Sequence, residues 1–291
     1  MSEASTPSRS PGLVDLGRRT LVMGVLNVTP DSFSDGGRHL QLEAALAHAE
    51  QMRADGVDVI DVGGESTRPG APPVPAEEEM RRVLPVIERL AAAQIPGISV
   101  DTFKANVARR AVEAGAEIIN DVGGLSLDPD MAEVAADSGA YLILGHTRGA
   151  PQSMQAGAIE YPDGVVDAVM GFLGRAMDTF LAAGGREDKI LVDPGIGFGK
   201  TLEHNLTLLR ELRTLRKLGA PVVVGTSRKS FLGRLTGRGV AERSYGTASS
   251  VALAVANGAD MVRVHDAKEM VDVVRVAEAI AHGIVTSPSE G

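Results

Sequence analysis

Short apolar runs alternate along this chain with longer segments whose apolar residues recur every three or four positions. There are eight such runs, at residues 21–28, 57–63, 98–102, 117–122, 141–146, 190–194, 222–226 and 261–265. Most are rich in Val and Ile and lack strict polar alternation, the pattern of parallel strands covered on both faces. Segments 41–55, 76–93, 104–114, 163–183, 202–218, 244–257 and 267–282 read as amphipathic helices. Leu42, Leu46, Ala49 and Met52 share one face of the first, and Val83, Ile87 and Leu90 one face of the second. The stripe Val166, Val169, Met170, Leu173 and Met177 reads as core packing rather than a cofactor contact. Strands alternating with helices predict βαβ units and a parallel sheet.

Two architectures accommodate that alternation, a closed barrel and an open doubly wound sheet. The strand count favours the barrel. So do the strand ends, nearly all of which carry polar or Gly-containing chemistry: Asn27, Asp61 with Gly63-Gly64, Asp101-Thr102, Asn120-Asp121, His146, Asp193-Pro194-Gly195, Ser227-Arg228-Lys229 and Arg263-Val264-His265. In a barrel all eight ends converge on one face and can share a ligand, whereas in an open sheet they spread along an edge. The expected fold is therefore α/β, a (β/α)8 TIM barrel forming one domain over residues 19–291, with ligand loops at its C-terminal face. Residues 1–18, rich in Ser, Pro and charge, are expected to form a flexible tail. The long irregular stretches 30–40, 64–75, 147–161 and 235–243 are candidate ligand loops.

Composition narrows the function. A length of 291 residues suits one barrel domain, and 44% hydrophobic with 23% charged residues argues against global disorder. A formal net charge of −9 gives no global electrostatic basis for binding nucleic acid or an anionic membrane surface. The lack of cysteine excludes disulfides, thiolate catalysis and Cys-based zinc sites, and fits a reducing cytoplasm. No apolar stretch approaches the roughly 20 residues that span a bilayer. Arg18-Arg19 before an apolar run imitates a twin-arginine export signal, but the run is short and Asn27 and Thr29 interrupt it. The stretch from Gly195 to Lys200-Thr201 imitates a Walker A tail, yet position 194, where that motif needs Gly, is Pro.

Gly24-Val25-Leu26-Asn27-Val28-Thr29-Pro30-Asp31-Ser32-Phe33-Ser34-Asp35-Gly36-Gly37 closely resembles the first signature of the dihydropteroate synthases, and Asp61-Val62-Gly63-Gly64-Glu65-Ser66-Thr67-Arg68-Pro69-Gly70 resembles the second. Ser99-Val100-Asp101-Thr102, Ile119-Asn120-Asp121, Asp193-Pro194-Gly195-Ile196-Gly197-Phe198-Gly199-Lys200, Ser227-Arg228-Lys229-Ser230 and Val262-Arg263-Val264-His265 continue the match in order. The resemblance implies a Mg2+-assisted transferase of folate biosynthesis, a sulfonamide target and commonly a homodimer. Its reaction joins 6-hydroxymethyl-7,8-dihydropterin diphosphate to para-aminobenzoate.

By the same resemblance, Asp101, Asn120, Asp193, Lys229 and Arg263 would bind the pterin. Asn27, Thr67, Arg68, Arg263 and His265 would bind the diphosphate, with Asn27 also holding Mg2+. Phe33, Thr67, Arg68, Pro69, Lys229 and Ser230 would form the para-aminobenzoate site. Asp101, Lys229, Arg263 and His265 would carry catalysis. Buried polar groups can read a heterocycle edge and reject analogues lacking matching atoms. A planar guanidinium can stack on the ring. Taken singly, a strand-end Asp such as Asp101 could instead cap the next helix, and His265 could be a structural histidine. Gly145-His146-Thr147-Arg148 departs from the Met-His-Met or Met-His-Asn that the family often shows, which bears on pocket shape. Two other functions compete: a methyltetrahydrofolate-binding methyltransferase barrel, and a catalytically silent paralogue that binds without turnover.

Overall fold

A computed structural model describes residues 13–28, 38–66, 70–95, 97–157 and 159–285, with backbone only for residues 38–41. All eight expected runs contain a strand: β1 (Leu21–Asn27), β2 (Val59–Gly63), β3 (Ile98–Asp101), β4 (Ile118–Asp121), β5 (Tyr141–Gly145), β6 (Ile190–Asp193), β7 (Val223–Gly225) and β8 (Met261–Val264). The strands are parallel and follow chain order around the sheet, with β1 beside β8. Between β6 and β7, Val192 N–H donates to Pro221 C=O at 2.9 Å and Val192 bridges Val222, which closes the barrel. The helices α1 (Arg38–Ala54), α2 (Ala76–Ala92), α3 (Ala105–Glu113), α4 (Met131–Ser138), α5 (Val165–Ala182), α6 (Leu202–Arg210), α7 (Ser230–Thr236), α8 (Ser244–Ala256) and α9 (Ala267–His282) lie between and after the strands. The chain is a (β/α)8 barrel. No described helix is long and apolar enough to cross a membrane.

Alternation along each strand divides its side chains between two environments. Val22, Leu26, Ile60, Val62, Leu142, Leu144 and Val262 pack outward against the helices in the larger core. Leu21, Met23, Val59, Ile118, Tyr141, Ile143, Leu191, Val223 and Met261 fill the barrel's lower interior. Moving two residues towards the C-terminal end on the same inward face changes the chemistry. Val59 is followed by Asp61, Ile118 by Asn120, Leu191 by Asp193 and Met261 by Arg263. The barrel is thus packed with hydrocarbon below and lined with charge at its mouth.

Three details differ from the sequence-based expectation. The flexible tail was expected to reach residue 18, but Leu13 is 0% exposed and Leu16 is buried, and both pack into the lower interior. These two leucines plug the barrel floor, which hydrophobic burial favours. Arg19, half of the apparent export signal, is bound into the fold by ion pairs to Asp58 and Asp15. The expected helix 202–218 ends as an α-helix at Arg210 and continues as a 3-10 helix, Leu212–Leu218. A three-residue turn aligns Leu212 and Leu215, both buried, on one side. The short helix α4 was not among the expected segments.

Candidate active site

The register of the sheet sets the mouth. Asn27 pairs with Gly63, Gly63 with Asp101 and Asp101 with Asn120, so these residues form one row across β1 to β4. A Cβ on Gly63 would sit 3.7 Å from both Asn27 Oδ1 and Asp101 Oδ2, so the glycine keeps space open between them. Arg263 reaches this row from β8. Its Nε donates to Asp61 Oδ2 at 2.6 Å and its Nη2 donates to Asp101 Oδ2 at 2.6 Å. Asn120 Nδ2 donates to the same Asp61 oxygen at 3.1 Å. Four strands are therefore tied together by one cation, one amide and two carboxylates.

The electrostatics are those of a desolvated cluster. Burial raises the Asp101 pKa to about 7, against the lowering effect of Arg263 and with a further push from Asp61 and Glu79. Burial works against the Arg263 charge, but Asp61 and Asp101 more than compensate and hold it above its ordinary value. Asp61 Oδ1 and Asp101 Oδ1 are buried without a hydrogen-bond partner within the protein. Buried acceptors in that condition are uncommon, and at Asp101, which borders the open row of the mouth, a ligand donor would satisfy the free oxygen.

Across the mouth, Asp193 Oδ1 accepts the Gly195 N–H at 2.7 Å, and burial raises its pKa. Gly195 has φ +66, and a Cβ there would lie 1.9 Å from His146 C=O, so only glycine permits this turn. Lys229 Nζ sits 3.8 Å from the centroid of the Phe198 ring, a cation–π contact. His265 is oriented by Ser227: its main-chain N–H donates to Ser227 Oγ at 3.2 Å, and its Nδ1 lies 3.1 Å from that oxygen. No group of three His, Cys, Asp or Glu suited to a metal occurs among the described residues.

Residues 23–265 match the family described as pterin binding enzyme. A dihydropteroate synthase of Bacillus subtilis is 46% identical over 270 residues, covering 93% of this chain and 92% of that protein. A Clostridium difficile dihydropteroate synthase solved in the presence of pteroic acid superposes with a TM-score of 0.86 at 42% identity, covering 91% and 98% of the two chains. One from Xanthomonas albilineans with 4-aminobenzoic acid gives 0.84 at 44% identity, covering 92% and 97%. The chain belongs to the dihydropteroate synthase family.

As a member of that family it is a transferase, and its fold brings together most of the residues that the motifs singled out. Asn27, Asp101, Asn120, Asp193, Lys229, Arg263 and His265 all occupy C-terminal ends of strands or the residues just beyond them. Ser230 is exposed at the first position of α7. Phe33, Thr67, Arg68 and Pro69 lie outside the described residues.

Several supporting residues had no assigned role in the sequence. Asp61 was read only as part of a motif, although it binds both Arg263 and Asn120. Lys104 joins buried Glu65 and Glu79 in one ion-paired cluster, and Glu65 Oε1 accepts the Val74 N–H at 3.2 Å. Both ends of the β2–α2 loop are thereby held at Glu65. Lys200 Nζ lies 2.8 Å from His146 Nδ1 and donates to Phe198 C=O at 3.0 Å. Burial lowers the Lys200 pKa to about 7 and that of His146 to about 3.

The family departure at Gly145 also has a structural basis. A Cβ there would meet Val122 Cα at 2.8 Å and Val122 C=O at 3.0 Å. Main chain from the turn after β4 fills the space into which a larger residue would extend.

Proposed function

We propose that the chain condenses 6-hydroxymethyl-7,8-dihydropterin diphosphate with para-aminobenzoate to give 7,8-dihydropteroate and diphosphate. The observation that carries this reading is the Asp101 carboxylate. One oxygen is fixed by Arg263, while the other is buried without a protein donor beside Asn120. A pterin edge supplies the N–H donors such an acceptor lacks. Asp193 accepts from the far side of the ring, and Lys229 donates to its carbonyl. Arg263, ordered by two carboxylates, offers a planar face for stacking and further N–H groups for the diphosphate. Asn27, His265, Thr67 and Arg68 complete the anion site.

The chemistry begins with cleavage of the bond between the pterin methylene carbon and the diphosphate oxygen, the electron pair leaving with the diphosphate. Positive charge then develops on the methylene, and ionised Asp101 stabilises it. The aniline nitrogen of para-aminobenzoate donates its lone pair to that carbon and loses a proton. A neutral aniline needs no strong base. Phe33 and Pro69 would wall the second substrate, Lys229 would pack on its ring and Ser230 would hold its carboxylate. The loop segments 31–37 and 66–70, which carry Phe33 and Pro69, would exclude water that otherwise consumes the cation.

A metal fits only in sparse form. With no cluster of three acidic or His ligands among the described residues, Asn27 would be the protein's contribution to Mg2+, and diphosphate oxygens and water would fill the shell. Bound there, Mg2+ would neutralise charge on the leaving group. A homodimer is supported by exposed apolar side chains on two neighbouring helices: Leu253 of α8 at 62% exposure, and Val276 and Ile280 of α9 at 59% and 82%. The proposed compartment is the cytoplasm, in keeping with a cysteine-free chain.

The test is direct. Purified protein with Mg2+ and both substrates is expected to form dihydropteroate and diphosphate in equal amounts. Folded, pterin-binding protein that forms neither product would overturn the reading in favour of a silent binding paralogue.

A further inference from the structure

Asp61 is 0% exposed, so it lies beneath the surface that a ligand would touch. It faces the barrel interior from β2, between Val59 in the apolar layer below and Gly63 in the row above. A bare carboxylate at such a depth is costly unless it is paired and hydrogen-bonded. Asp61 meets that condition through a single oxygen. Oδ2 accepts Arg263 Nε at 2.6 Å and Asn120 Nδ2 at 3.1 Å. Its other oxygen makes no hydrogen bond within the protein.

These contacts have two consequences. An arginine can rotate about its side-chain bonds, and its plane is fixed only when two donors are held separately. Nε on Asp61 and Nη2 on Asp101 fix it from two strands. An asparagine amide has a donor end and an acceptor end of the same shape. An ionised carboxylate accepts only, so Asp61 must hold the NH2 end. The Asn120 carbonyl oxygen is thereby turned away from Asp61, towards the rest of the mouth.

We infer that Asp61 is a positioning residue, whose one buried oxygen sets both the plane of the Arg263 guanidinium and the orientation of the Asn120 amide for pterin recognition. It touches no substrate. It acts through two groups that do, and it couples the strand carrying the leaving-group cation to the strand reading the heterocycle. Its charge also bears on Asp101, which is faced by Arg263, Asp61, Glu79 and Lys229. Loss of the Asp61 charge removes one influence that keeps Asp101 protonated, so Asp101 would ionise at lower pH.

The inference rests on the proposed pterin chemistry, and the wild-type protein is the control that separates the two. Wild type without turnover would fail the proposed function, whereas active wild type with an indifferent Asp61 would fail only this inference. The experiment compares Asp61→Asn, Arg263→Lys and the double variant by steady-state kinetics over pH, with thermal denaturation of each. Asp61→Asn is expected to lower kcat/KM for the pterin diphosphate on the order of 100-fold, the cost of small misplacements at a reacting centre. KM for para-aminobenzoate should stay near wild type, and the acid limb of the pH profile should move to lower pH. The double variant should lose little more than the worse single variant, because both changes break one linkage.

Asp61→Glu keeps the charge but displaces the carboxylate by one methylene. It should lose kcat/KM while leaving the acid limb in place, and it serves if Asp61→Asn does not fold. A folded Asp61 variant with wild-type kcat/KM, or strictly multiplicative losses in the double variant, would overturn the inference.

Discussion

The barrel's interior has two halves built on the same strands. Below, Leu21, Met23, Val59, Ile118, Leu191 and Met261 make a hydrocarbon layer closed by Leu13 and Leu16. Above, Asp61, Asp101, Asn120, Asp193 and Arg263 make a layer of desolvated polar groups, two of which keep an oxygen without a protein partner. The lower half gains stability from every side chain it buries. The upper half gives some of that stability up, because buried charge is costly even when paired. The contrast teaches that this fold separates the two tasks by height along the strand. The floor holds the barrel shut, and the mouth keeps on Asp101 a buried acceptor that the protein leaves open.

The largest effect should come from the group that the whole mouth shares. Arg263→Ala leaves Asp61 and Asp101 buried without their cation. It is expected to abolish measurable turnover and to cost about 3–5 kcal/mol, read by activity assay and denaturant unfolding. The lower layer should respond in the opposite way. Leu21→Ala is expected to cost about 2–5 kcal/mol while the folded fraction retains wild-type kcat. A fall in kcat without loss of stability in that variant would break the division.

Gly145→Ala should cost about 1–3 kcal/mol, because the added methyl meets the main chain at Val122. Its KM for the pterin should rise, since the turn after β4 must move. The mildest perturbation is a change of pH on the wild type. In the proposed reaction Asp101 acts ionised, and its raised pKa is about 7. As pH falls below that value, protonated Asp101 accumulates, so kcat/KM should fall about tenfold per unit. A profile flat to pH 5 would detach Asp101 from the developing cation.

Both halves were unequally legible in the sequence. The strands were plain because each apolar run is short and bounded by Gly or polar residues, as at Ile190–Asp193 before Pro194. The mouth was legible where a motif carried a charged residue at or next to the end of a strand, as with Asp101, Asp193 and Arg263. Asp61 escaped because its meaning lies in a partner 202 residues away. Lys104 likewise looked like a helix-start lysine until the fold brought Glu65 and Glu79 to it. Leu13 was lost among Pro, Gly and charge, where two leucines set no period. The helix expected over 202–218 changed type because leucines at three-residue spacing suit a 3-10 turn as well as an α-helical face.

The division between floor and mouth rests most heavily on Asp101, so the sharpest test pairs two readings on Asp101→Asn. The substitution removes a buried negative charge but keeps a carbonyl oxygen that can accept from Arg263. The account predicts that kcat falls at least about a thousandfold while thermal stability holds at or above wild type. Retained turnover, or a loss of activity that only follows unfolding, would contradict it.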